Sequence, residues 1–396
     1  MSGAWRPILV GYAVQLTNMV VLFLYHFLLP VVLDTAAFAQ LVVVAATGGL
    51  IVLLFDAGFN LMTVRRPSKA TVYLGYKLRL ALVCSCVALV LLVADGAPIL
   101  GVVSSMAYAI AFTLYTHGSA LLVGRGHFIR AAYVTCSYGL LLTAVPILMN
   151  WLGLPLSFAP LLSTAVAVLS LEMALPGWVL EVRRVARSLF SMPRIRHIGR
   201  SFARQMQLSA GPFIEGMTTS GAILYCALRL DATTVASVRV AFSMAAVMGM
   251  VLPFNRQYVF AAFASERGVR KIASVAAWIS VVAVVQSLAL YGAGRFGFLG
   301  YYAPAEKAFE TFPWVLLAVP GVRVLFELSV VAADRMRVIG SLMMVYATVP
   351  VAVLALAMTQ NVEIFALTAY ALALGVGLFL MTRAAIRRPQ QFRGEE

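Results

Sequence analysis

Residues 99–130, ILGVVSSMAYAIAFTLYTHGSALLVGRGHFIR, decide the fold. Positions 99–124 pass without an Asp, Glu, Lys or Arg, and Arg125 and Arg130 then follow. A helix crossing the hydrocarbon core needs about 20 predominantly apolar residues. This stretch supplies them and ends on the basic gap that marks a membrane surface. The same unit recurs along the chain, with about twelve apolar stretches at roughly 8–32, 38–62, 71–94, 99–123, 131–152, 156–181, 206–230, 234–253, 272–293, 313–333, 338–358 and 362–382. With 62% hydrophobic residues and 11% charged, little remains for a soluble domain. The reading is an all-α polytopic membrane protein of about 12 transmembrane helices.

The basic gaps alternate. Arg6, Arg65, Arg66, Lys69, Arg125, Arg130, the seven arginines from Arg183 to Arg204, and Arg256, Arg267, Arg270, Lys271, Arg335 and Arg337 share one side. Arg383, Arg387, Arg388 and Arg393 in the tail join them, and Lys77 and Arg79 sit just inside the third span on that side. The opposite side holds Arg295 and Lys307, both in the 294–312 loop. The positive-inside rule then places both termini in the cytoplasm. This orientation accounts for the net charge of +15 without nucleic acid, because the basic residues meet anionic membrane lipids. The first span is too long for a signal-peptide core and lacks an A-x-A-like cleavage site, so it reads as retained. Cys84, Cys86, Cys136 and Cys226 fall within spans and form neither a disulfide framework nor a metal-ligand spacing.

The long connection 182–205, VRRVARSLFSMPRIRHIGRSFARQ, divides the chain. Residues 1–181 form an N-terminal six-helix lobe, 182–205 a basic cytoplasmic linker, and 206–396 a C-terminal six-helix lobe with a basic tail. Arg194–Gln205 is amphipathic enough to lie on the membrane as a short helix; a solvated linker is the competing reading. An internal echo supports the division. Asp34-Thr-Ala-Ala-Phe38-Ala39-Gln-Leu41 opens span two, and Asp231-Ala-Thr-Thr-Val235-Ala236-Ser-Val238 opens span eight. A second echo links Val123-Gly-Arg-Gly-His-Phe-Ile-Arg130 with Ala332-Ala-Asp-Arg-Met-Arg337. Repeated halves are a common transporter architecture, with the substrate path between them near the midplane.

The Asp-x-x-x-aromatic-Ala turn at Asp34, the segment Leu53-Leu-Phe-Asp56-Ala-Gly58-Phe-Asn60 and the Gly-Arg-Gly-His-Phe-x-x-Arg run after span four resemble a known family. They are similar to the polysaccharide and O-antigen (Wzx-type) flippases of the multidrug/oligosaccharidyl-lipid/polysaccharide superfamily. Ala36-Ala37 departs from the acidic residues usual at the loop there. The resemblance implies a secondary transporter in the bacterial inner membrane that flips undecaprenyl-diphosphate-linked oligosaccharide units for surface polysaccharide biosynthesis. Its implied partners are the polyprenyl-diphosphate-linked oligosaccharide, a coupling H⁺ or Na⁺, membrane lipids and polysaccharide assembly proteins, with no cofactor.

An ionisable side chain near a helix centre costs roughly 2.5–3.5 kcal/mol on insertion scales, so each one requires a reason. Arg323 lies near the middle of span ten with Glu327 one turn on, placed to pair with each other or to hold a diphosphate. Arg229 and Arg239 flank the turn between spans seven and eight; they either snorkel outward, with Arg229 also placed to pair with Asp231, or extend a cationic track from Arg323. Glu215, within Gly211-Pro212-Phe-Ile-Glu215-Gly216, is the leading acidic candidate for a coupling cation, because irregular backbone at membrane depth belongs beside a cavity. Glu327 and Glu172 are the further ion-coupling candidates; Glu172, before Pro176-Gly177, faces a cavity or pairs with a base of another span. Asp56 reads as structural, pairing with Arg65 or Arg66 near a cytoplasmic gate. His26 and His117 stand alone on apolar helices, where packing with one hydrogen bond is the default and proton relay the minor reading.

No Walker A loop, H-E-x-x-H, Cys/His cluster or G-x-S-x-G elbow occurs, and His127 lacks the aspartate that membrane acyltransferases place after it, so no enzyme is expected. A polysaccharide polymerase or ligase would carry a large outer loop for catalysis; here the longest loop is cytoplasmic. A MATE-like multidrug cation antiporter is the main alternative, and arginines at least matching the intramembrane acids count against it.

Overall fold

The computed structural model describes residues 28–56, 59–94, 99–189, 220–229 and 231–250, with 20, 21, 24, 25 and 288 as isolated positions. The chain divides into two compact units, Met1–Gln205 and Met206–Glu396. Described helices of the first unit are α1 (Thr35–Asp56), α2 (Phe59–Arg65), α3 (Ala70–Ala94), α4 (Ile99–Gly124), α5 (Phe128–Trp151), α6 (Ala159–Ala174) and α7 (Trp178–Ser188). Those of the second are α8 (Ala222–Arg229) and α9 (Ala232–Met250).

Among the described residues, four helices are long and apolar enough to cross a membrane, over Thr35–Val52, Ile99–Gly124, Ile129–Trp151 and Leu156–Ala174. Their surfaces suit lipid. Met173 is 82% exposed, and Val103, Leu148 and Leu169 also point outward, while Ser104, Thr113, Ser163 and Thr164 are buried. Hydroxyls inside and aliphatics outside would be a poor surface in water and a good one in hydrocarbon. Thr113 and Thr164 return their hydroxyl hydrogens to the carbonyls of Ala109 and Pro160 one turn back, so neither needs water.

Helix α4 is the hub of the first unit, packing against α1, α2, α3, α5 and α6. Its aromatic row at i, i+4 and i+7 runs Tyr108, Phe112 and Tyr115, and Tyr138 of α5 completes the stack with its ring 4.4 Å from Tyr115.

The boundaries differ from the sequence reading. Span two, expected over 38–62, begins at Thr35. Span six, expected to reach 181, ends at Ala174. Leu175 sits at φ −135° and cannot continue the helix, and Gly177 at φ +86° reverses the chain into α7. The left-handed conformation is open to glycine at no steric cost. The amphipathic helix described here is therefore α7, with Trp178 and Val185 buried and Arg183, Arg184 and Arg187 exposed. The segment Arg194–Gln205 lies outside the described residues.

The internal echo has a geometric counterpart. Asp34 accepts the backbone N–H of Ala37 at 2.7 Å at the start of α1, and Asp231 accepts that of Thr234 at 3.0 Å at the start of α9. Each aspartate thus caps the helix it opens. Phe38, Ala39 and Leu41 are buried in one unit, and Val235, Ala236 and Val238 are buried at the equivalent places in the other. The partner segment of the second echo, 332–337, lies outside the described residues.

Candidate functional site

Polar groups converge where α2, α3, α4 and α7 meet. Gly124 permits the approach: a Cβ there would come within 3.0 Å of the Thr63 carbonyl and the Val64 Cα, so α2 lies directly on the end of α4. About two turns back from Gly124, at 1.5 Å rise per residue, His117 is fully buried. Its Nε2 lies 3.1 Å from the Ala70 carbonyl, which can only accept, so that nitrogen carries the hydrogen. Its Nδ1 faces the Thr63 hydroxyl at 3.4 Å, and that hydroxyl also reaches the Phe59 carbonyl at 2.9 Å. The Trp178 ring lies alongside the imidazole, with centroids 6.1 Å apart and planes 23° apart.

Lys77 completes the cluster. It is fully buried on α3, and its ammonium donates to Asn60 Oδ1 at 2.8 Å. A buried ammonium loses several kcal/mol of solvation unless such partners replace water. Trp178 contributes an indole N–H that is buried without a hydrogen-bond partner among the described residues. The sequence reading placed Lys77 as a topology charge and missed it as a site residue. The usable signal was three polar residues, Asn60, Lys77 and His117, each inside an apolar stretch, with Thr63 just beyond the end of one.

Of the residues singled out from sequence, Glu172 has the clearest environment. Its Oε1 accepts the Gly177 N–H at 2.7 Å and its Oε2 the Val179 N–H at 2.6 Å. The carboxylate spans the α6–α7 break and sits at the positive end of α7. These two described partners are backbone groups, where the sequence reading foresaw a cavity or a basic side chain. Arg130 Nη1 adds a hydrogen bond of 3.3 Å to the Ala174 carbonyl. On the other side of α7, Glu181 bonds the Thr71 hydroxyl and the Leu189 carbonyl accepts Arg79 Nε at 3.3 Å.

Arg239 lies half-buried on α9, at the place equivalent to the buried Val42 of α1. Arg229 ends α8 and Asp56 ends α1, with both side chains outside the described set. Asp231 is exposed, and the hydroxyl and backbone N–H of Thr234 hold its carboxyl below the ordinary aspartate value. Glu215, Arg323 and Glu327 lie outside the described residues.

No protein-family model matches this chain, and no curated protein does. Among solved structures it is similar to an inward-facing multidrug resistance MATE family transporter of the MOP superfamily, 15% identical with a TM-score of 0.56, over 97% of this chain and 99% of that one. It is also similar to a Vibrio cholerae MATE transporter, 14% identical with a TM-score of 0.47, over 96% and 95% of the two chains. A MOP superfamily transporter from Pyrococcus furiosus is 17% identical with a TM-score of 0.43, over 97% and 93%. The molecule is a multi-pass membrane protein. Its fold is that of the inward-facing MATE transporter.

Proposed function

We propose that this chain is a secondary transporter working by cation-coupled alternating access. The observation that supports it is the likeness to a MATE transporter along nearly the full length of both chains. On that basis a MATE-like antiport of organic cations is the reading the fold favours. Glu215 and Glu327 are the acids proposed to bind the coupling H⁺ or Na⁺. Glu172 is proposed to act with them by holding the α6–α7 turn, and Asp56 as a gate residue.

A second reading rests on the sign of the interior charge. Among the described residues, Lys77 is buried and Arg239 half-buried within helices, and the second unit puts Arg239 where the first has Val42. A cationic interior repels organic cations and favours an anionic headgroup. Together with the sequence resemblance, this supports flipping of a polyprenyl-diphosphate-linked oligosaccharide in a bacterial inner membrane, with Arg323, Arg239 and Arg229 as the diphosphate ligands.

Lipid extraction from cells lacking the protein separates the two. If it is a flippase, complete polyprenyl-diphosphate oligosaccharides accumulate out of reach of a periplasmic probe. If it is a cation antiporter, no such lipid accumulates and the cells retain more ethidium than their parent.

A further inference from the structure

We propose that the outer face of α7 is a binding site for the headgroups of anionic phospholipids, formed by Arg183, Arg184 and Arg187 around Leu180. Such a site needs only that the chain lie in a bilayer, and it is independent of the cargo. The four residues stand at i, i+3, i+4 and i+7 and so share one face of the helix. All four are exposed, Leu180 to 59%. The opposite face is Trp178, Val182 and Val185, which pack into the core of the first unit. Glu181 is the single acid of α7, and it takes the Thr71 hydroxyl of α3. The outer face therefore carries three positive charges and no negative one. An aliphatic side chain ringed by guanidiniums is poorly matched to water. It is well matched to phosphates lying above acyl chains.

The seating of α7 puts that face where headgroups are. Thr71 meets Glu181, Val185 Cγ1 lies 3.7 Å from where a Cβ on Gly75 would stand, and Arg79 Nε lies 3.3 Å from the Leu189 carbonyl. The contacts recur every four residues on both helices. Helix α7 thus runs alongside the opening turns of α3 and does not project into solvent. Its first residue, Trp178, follows the end of α6 at Ala174 by four positions, and α6 is itself apolar enough to span. Met173, 82% exposed, marks the lipid side of the last turn of α6. The three arginines consequently emerge beside two long apolar helices, at the boundary between hydrocarbon and water. A guanidinium stays charged there and binds phosphate oxygens bidentately.

The site is also held in place. Glu172 fixes the start of α7 through the Gly177 and Val179 N–H groups, and Arg79 holds the carbonyl that follows its end. A helix already fixed along its length loses little freedom on binding a lipid. Arg130 is exposed and donates to the Ala174 carbonyl, which brings a fourth cation to the start of α7. The charge asymmetry of the chain assigns this end to the cytoplasmic leaflet, whose anionic lipids attract arginine by about 1 kcal/mol for each side chain near the surface.

The test uses the full chain, with its four cysteines replaced by alanine and Leu180→Cys labelled with nitrobenzoxadiazole. The protein is placed in nanodiscs of phosphatidylglycerol and phosphatidylcholine in equal amounts. In one preparation the phosphatidylglycerol carries a doxyl quencher near its headgroup, and in the other the phosphatidylcholine does. The expected result is quenching that reports about a fivefold local enrichment of phosphatidylglycerol, the factor one arginine at a lipid surface is worth. High salt should weaken it. The triple variant Arg183→Gln, Arg184→Gln, Arg187→Gln, shown to be folded by thermal unfolding, should lose the enrichment. The corresponding triple lysine variant should keep most of it. Equal quenching by the two lipids overturns the proposal, and so does an enrichment that survives in the folded glutamine variant. Quenching by neither lipid would place this face in water or under another part of the protein, and overturns it as well.

Discussion

Asn60 carries more of the first unit's stability than its size suggests. Its side-chain carbonyl accepts from an ammonium that water does not reach. Removing the acceptor leaves a buried charge short of a partner, whereas removing the charge leaves only a neutral amide to rearrange. Asn60→Ala should therefore destabilise by about 1–3 kcal/mol, and adding Lys77→Met should recover part of that loss. Thermal unfolding of both variants in detergent checks this. The same residues show what a sequence conceals. Lys77 near the end of an apolar stretch looks like an interfacial charge, because nothing in its neighbours on α3 tells that α2 and α4 close over it. Arg239 is the converse case: a charge one turn into an apolar helix was legible as unusual, and it is half-buried in the structure.

Single carboxylates govern how the helices begin and turn. Asp34 and Asp231 cap α1 and α9 in the same way, so Asp34→Ala and Asp231→Ala should each cost about 1 kcal/mol in thermal unfolding. The folded state depresses the Asp231 carboxyl, so its contribution is present above the unfolded value and is lost as pH falls through the folded one. The Thr234 amide shift should accordingly titrate with a midpoint below the ordinary value of about 3.9. Glu172→Gln should free the start of α7 and speed proteolysis between Gly177 and Ser188, since a neutral amide replaces a charged acceptor at a helix N-terminus. The caps were readable because an aspartate just before an apolar run is a local helix-start pattern. The α6–α7 latch was half readable: Pro176-Gly177 announced a break, but the carboxylate that closes it comes from the helix before.

At the scale of the whole molecule, spacing and charge carried the fold class, because the bilayer imposes both length and sidedness on every helix. The cargo was not legible in the same way. Short segments resembled the flippases, while the fold is that of a MATE transporter, and a shared fold does not fix the cargo. Sidedness has its own check: a cysteine at Ser68 should react with an impermeant maleimide from the cytoplasm, and one at Leu154 from outside, in a protein without native cysteines. The central claim is cation-coupled transport, and proteoliposomes with an imposed H⁺ or Na⁺ gradient test it most directly. Movement of ethidium or of a polyprenyl-diphosphate oligosaccharide that follows the gradient and collapses with an ionophore is the predicted result. Movement of neither cargo above protein-free vesicles, under either gradient, would contradict it.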